Sequence, residues 1–185
     1  MDITRLAENI FQISELVNFP YICSVMKIPQ LKFLNINYKE YTVNDNQLIQ
    51  QITTSNRPLQ IYRMINKKIT VQILPKGVVR LSVNMTHNEL TKEELINKIN
   101  KLLIISIENT IKLSNEIPNN ENIIELVNNL CNIKFTSING YVTYNNILIA
   151  VSGNTINEFN EFKKYKKSLY KKSLYKKSLC KKIEI

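Results

Sequence analysis

Hydrophobic spacing switches between helical and extended periods along residues 1–162. Ile3, Leu6, Ile10, Phe11, Ser14 and Val17 fall near one face at helical spacing, so 3–17 reads as an amphipathic helix. "FPYICSVMKIP" is short and bounded by prolines, and fits either a strand or an irregular connector. "LKFLNINYKEY" (31–41) has strand composition. "DNQLIQQITT" opens on an Asx cap and gathers Leu48, Ile49 and Ile52, which predicts a short helix. "LQIYRMI", "KITVQIL" and "VVRLSVNM" follow as the richest β segment, with turn residues Asn66-Lys67 and Pro75-Lys76-Gly77 between them, a meander of three strands. In the last of these, Val79, Leu81, Val83 and Met85 take one face and Arg80, Ser82 and Asn84 the other, so one face is core and the other meets solvent or a ligand. Thr91-Lys92-Glu93-Glu94 has the form of a capping box and opens a helix carrying Leu95, Ile96, Ile99 and Leu102.

The same order then returns in shorter form. "IISIENTIKL" (104–113) reads as a strand and "NENIIELVNNL" (120–130) as a helix. "IKFTSI", "GYVTYN" and "ILIAVSG" are strand-like, and Thr155-Ile156-Asn157-Glu158 is a second capping box, opening a helix with Ile156, Phe159 and Phe162. Strand, helix, strands and capped helix thus recur at 31–103 and 104–165, behind an N-terminal helix and connector at 1–30. Internal duplication is the expectation this order creates.

Charge separates the chain into a body and a tail. Of 25 Lys+Arg and 15 Asp+Glu, residues 163–185 hold ten lysines and only Glu184, a net +9, which leaves the body at +1. Its Tyr-Lys-Lys-Ser-Leu repeat has a period of five, matching neither helix nor strand, and reads as a disordered or partly helical basic arm. Lys166, Lys167, Lys171 and Lys172 are its candidate phosphate contacts. A slippage-expanded repeat that only aids solubility explains it equally well. A near-neutral body must bind nucleic acid, if it does, through shape and local chemistry. Ile (28 residues) and Asn (26) are over-used while Ala occurs twice, a bias of A+T-rich coding that removes functional weight from Asn runs.

Several chemistries lack their parts. Cys23, Cys131 and Cys180 are odd in number and far apart, and fit neither a disulfide framework nor a zinc site. The single histidine, His87, sits in a turn-like stretch, so no Ser-His-Asp or Cys-His constellation forms without it. Three glycines cannot build a phosphate-cradling loop. Capping and exposed helix faces explain Glu93-Glu94 and Glu121/Glu125 better than acid–base catalysis does. The expectation is a non-enzyme without metal or cofactor. The charged N-terminus is unlike a signal peptide and the longest apolar run, "LLII" at 102–105, cannot span a membrane. An intracellular, reducing location is therefore expected.

"PLQIYRMINKKITVQILPKGVVRLSV" (58–83), set within the duplicated order, resembles the TATA-binding protein family. The likeness spans 31–162 and is densest at 58–82. It implies an α+β fold: two pseudo-symmetric strand–helix–strands–helix repeats form one curved antiparallel sheet, a saddle with helices on its convex face. The concave face of such a saddle sits on the minor groove. In that family the first strand of each repeat carries an Asn that reaches minor-groove acceptors at the centre of the site, and "LNIN" puts Asn35 and "IENTI" puts Asn109 at those places. The Thr-Gly that ends the strand before each last helix becomes Ser82-Val83 and Ser152-Gly153. Amide and hydroxyl donors suit a groove where A·T and T·A pairs show only acceptors. The family's Phe wedges correspond to Arg57 and Leu74 in the first repeat and to Leu130 and Tyr144 in the second. Leu and Tyr can insert between base steps, Arg57 would meet phosphate instead, and Arg80 stands where an apolar residue is usual.

The resemblance implies a TATA-binding-protein-like transcription initiation factor, as of a large AT-rich DNA virus, engaging AT-rich promoter DNA. Its partners would be a TFIIB-like factor and an RNA polymerase, in a nucleus or at a cytoplasmic site of viral transcription. Two alternatives stay open. One is a subunit of the same fold that binds another protein, such as a second TATA-binding-protein-like subunit, without base readout. The other is a small structural protein of an AT-rich genome.

Overall fold

The computed structural model describes residues 1–161, apart from 33, 67, 86–89, 115–121, 145 and the side chain of Tyr144. His87, the side chain of Tyr144 and the tail lysines Lys166, Lys167, Lys171 and Lys172 therefore lie outside the described residues.

Helix α1 (Ile3–Leu16) starts where Asp2 accepts the Arg5 amide at 2.7 Å, and it buries Ile3, Leu6, Ala7, Ile10 and Ile13 as its spacing requires. Strands β1 (Asn18–Lys27), β2 (Lys39–Asn44), β3 (Gln47–Gln51), β4 (Gln60–Met64), β5 (Ile69–Leu74) and β6 (Val78–Asn84) follow. Helix α2 (Lys92–Ser114) and the short α3 (Ile123–Asn128) lead to β7 (Cys131–Tyr144) and β8 (Ile147–Gly153), and residues 156–161 form α4. The strands make one large, curved, unclosed sheet in the order β3-β2-β4-β5-β6-β1-β7-β8. Side chains of one parity, among them Ile22 and Met26 of β1, Ile69, Val71 and Ile73 of β5, and Val79, Leu81 and Val83 of β6, share a core with the buried stripes of all four helices.

Two glycines are required, one by backbone conformation and one by side-chain packing. Lys76 and Gly77 both take left-handed φ (63° and 69°) to turn β5 into β6, and a Cβ on Gly77 would collide with the Ile28 carbonyl oxygen. The Gly77 carbonyl accepts the Ile28 amide at 2.8 Å, tying this turn to the end of β1. At Gly153 a Cβ would strike the Glu158 carboxylate and the Phe159 ring, so the fully buried Phe159 packs there only because the strand ends in glycine.

Several expectations hold. The meander β4-β5-β6 and the face assignment of Val79, Leu81, Val83 and Met85 are as read. The Thr91 box is reciprocal, with Thr91 N–H donating to Glu94 (2.8 Å) and Glu94 N–H to Thr91 (3.2 Å). The second box is half realised: Glu158 N–H donates to Thr155 (3.4 Å), but the Glu158 carboxylate takes the amide of Asn154 (3.0 Å).

Others are corrected. Residues 104–113 are not a strand but the second half of α2, which runs unbroken through the expected repeat boundary. Leu102, Leu103, Ser106, Ile107, Thr110 and Ile111 are buried at helical spacing, while Ser106 and Thr110 donate back to the carbonyls of Leu103 (3.0 Å) and Ser106 (2.7 Å). The density of isoleucine there mimicked a strand; the period of burial is that of a helix. Residues 47–51 are a strand rather than a helix, because Asp45, at φ 51°, turns β2 directly back into β3. The sheet is mixed and not wholly antiparallel, since β2 runs parallel to β4. Of the two alternatives for the segment after α1, the strand is realised: β1 lies between β6 and β7 and joins the two halves of the sheet, with register shifts against β7. Residues 31–103 thus supply five strands and the start of α2, whereas 104–161 supply the rest of α2, α3, two strands and α4. The element order of the first segment does not recur in the second.

Candidate nucleic-acid interface

All four helices pack on one face of the sheet, and the opposite parity of every strand points away from them. Register organises that open face into rows across β5, β6, β1, β7 and β8. Gln72, Arg80, Val25 and Lys134 make one row; Thr70, Ser82, Cys23 and Ser137 the next; Asn84, Tyr21, Asn139 and Ser152 the third. Strand spacing and rise make this patch roughly 13 by 19 Å. Apart from Val25 and the thiol of Cys23, its side chains are amides, hydroxyls and cations. Arg80 and Lys134 are exposed, and Lys27 adds a third exposed cation at the end of β1.

Glu40 is the one carboxylate among the described strand positions of the open face, and it is neutralised. Arg63 on β4 stands with Nε 3.1 Å from the Glu40 carboxylate, an ion pair without hydrogen-bond alignment, and Tyr38 donates to the same carboxylate at 2.7 Å. Thr53, in the connector from β3 to β4, donates to Tyr38 (3.3 Å), so that connector lies beside this pair. Near the centre, Cys23 Sγ sits 3.5 Å from Ser82 Oγ. The Tyr21 hydroxyl is pulled down by its bond with Ser82, but the bond with Cys23 and burial outweigh that and leave it raised.

The residues expected to read a groove are dispersed. Ser82 and Ser152 share the open face, with Cys23 and Asn139 on the strands between them. Arg80 and the half-buried Leu74 also belong to it. Arg57 is exposed in the connector between β3 and β4. Asn35 is exposed in the chain between the turn at Pro29–Leu31 and β2, outside any strand. Asn109 is on α2, on the covered side, and donates to the Tyr62 hydroxyl at 3.0 Å. Leu130 is buried in the core where α3 leads into β7, so it cannot wedge between bases.

Asn109 belongs instead to a buried polar network that fastens α2 to β4. The Tyr62 hydroxyl donates to Gln60 and meets Thr110 at 2.9 Å, and Tyr41 stacks on the Tyr62 ring with centroids 5.1 Å apart. Burial pushes the Tyr62 hydroxyl up to about 12, against the lowering effect of its bonds with Thr110 and Asn109.

Sequence reasoning missed the aromatic part of the open face. Phe19, Tyr21 and Tyr141 are exposed by 52%, 45% and 43%, and with Asn139 and Ser152 they line a recess of about 390 Å³ over β1, β7 and β8. The signal was present: "SINGYVTY" alternates Ser137, Asn139, Tyr141 and Thr143 onto one face. No group of His, Cys, Asp and Glu is placed to hold a metal among the described residues, and no helix there is long and apolar enough to cross a membrane.

No protein family matches the chain, and no curated protein and no solved structure is similar to it.

Proposed function

We propose that the protein binds AT-rich duplex DNA on the open face of its sheet, from the minor-groove side, as a transcription initiation factor resembling the TATA-binding protein family. One observation carries this reading: a helix-free sheet face whose described strand positions offer hydroxyls, amides and cations, and whose single carboxylate is already paired. Ser82, Ser137, Ser152, Asn84, Asn139 and Gln72 supply the short donors that minor-groove acceptors of A·T pairs can take, and Arg80, Lys134 and Lys27 supply the phosphate contacts. The family's wedges have no counterpart at Arg57 or Leu130, so the saddle and its kink are not needed for this mode. A TFIIB-like factor and an RNA polymerase as partners follow from the family resemblance alone.

The test is affinity for AT-rich and GC-rich duplexes of equal length across a salt series. The expected result is about a ten-fold preference for the AT-rich duplex, since the amino group of G fills the minor-groove floor. Equal affinities would contradict this reading and favour a second, a protein-binding subunit. That second reading has one observation behind it. Strand β8 is an edge of the sheet among the described residues, with Ile147, Leu148 and Ile149 exposed by 65%, 55% and 44%, an apolar edge that can add a strand from another chain.

A further inference from the structure

We propose that the recess between Phe19, Tyr21 and Tyr141 takes one unpaired nucleobase of the DNA held on the open face; this rests on the reading above. Its volume of about 390 Å³ falls in the range of roughly 300–1,000 Å³ typical of small-ligand sites. Three exposed rings in one recess are a poor solvent surface and a good stacking platform, and every base offers a π-face to such a platform. Polar groups stand among the rings. Asn139 pairs across to Tyr21 on one side and to Ser152 on the other, so an amide with both donor and acceptor lies beside a hydroxyl. That set matches the hydrogen-bonding edge of a base that has left its partner, adenine above all.

The backbone has been bent to present the rings. Phe19 stands at φ 50°, a left-handed conformation that bulky side chains rarely adopt, and the pairing of β1 with β7 slips in register between Asn18 and Tyr21. Irregularities of this kind re-aim side chains beside functional sites. Asn18 holds the irregular stretch by donating to Thr143 at 2.9 Å. The row that carries Tyr21, Asn139 and Ser152 is next to the row of Ser82 and Cys23, so a base seated here stays joined to a strand lying along the patch.

The experiment compares full-length protein on an intact AT-rich duplex and on the same duplex carrying one extra unpaired adenine. The unpaired base is expected to raise affinity about ten-fold, as base–aromatic stacking does at other sites. Tyr141→Ala should abolish that gain, while Tyr141→Phe, which keeps the ring, should retain it. Binding of both duplexes with equal affinity, or a gain that survives Tyr141→Ala, overturns the recess and leaves the open face standing. Binding of neither overturns both.

Discussion

Arg80→Glu combined with Lys134→Glu is expected to weaken binding of an AT-rich duplex about 100-fold at physiological ionic strength, with the fold unchanged. Both side chains are exposed on the open face, on strands that flank β1, and both align with Val25. Strand spacing puts them roughly 10 Å apart, within reach of phosphates on a single bound segment. Each cation that contacts a phosphate contributes about one unit to the slope of log affinity against log salt, so the slope should shrink by about two. Neither residue has a described salt bridge to lose, and the melting transition should stay in place. A double variant that binds as tightly as the parent, with the same salt slope, would show that DNA lies elsewhere on the protein.

Tyr62 gives the second large effect, on stability. Its hydroxyl ionises at about 10 in an unfolded chain and is pushed up to about 12 in the folded protein. Below pH 10 both states keep the proton and this group adds no pH dependence. Between about pH 10 and 12 the unfolded chain releases the proton while the folded chain holds it, so stability falls as pH rises. From pH 9.5 to 11.5 the parent should lose about 2 kcal/mol more unfolding free energy than Tyr62→Phe. Every other ionisable side chain is common to both proteins, so the comparison isolates the loss of the Tyr62 hydroxyl. At neutral pH the variant should itself be weaker by about 1–3 kcal/mol, since Gln60 loses a donor and Asn109 an acceptor inside the core. Urea denaturation of both proteins at the two pH values measures this, and parallel losses would mean that Tyr62 is not buried un-ionised against α2.

The same network shows where the sequence was opaque. Asn109 and Thr110 sit in a stretch rich in β-branched residues, and their local composition is as good for a strand as for a helix. Only the buried partners across the core, Tyr62 and Gln60, make the helical solution the one that satisfies every polar group. Such long-range pairing leaves no local mark. By contrast, β5 and β6 were legible because their alternation is strict and Gly77 punctuates it, and the Thr91 box because capping is a local event. The central place of β1 could not be read: Pro20 and Pro29 made its ends look irregular, and nothing in "YICSVMK" states which strands lie beside it. The candidate site was half legible. Arg80 and Ser82 came from alternation within one strand, whereas Tyr21, Asn139 and Ser152 became neighbours only through a register spanning more than 110 residues.

Cys23 lies near the middle of the open face, half-buried beside Ser82, while Cys131, opposite Lys27 at the start of β7, marks its end. The rate at which a small alkylating reagent labels each thiol, read by peptide mass with and without saturating AT-rich duplex, tests the account at its centre. A duplex seated on the open face should slow labelling of Cys23 about ten-fold, more than at Cys131, because the reagent must then reach the thiol from beneath bound DNA. An unchanged Cys23 rate under full occupancy would place the DNA somewhere other than this face.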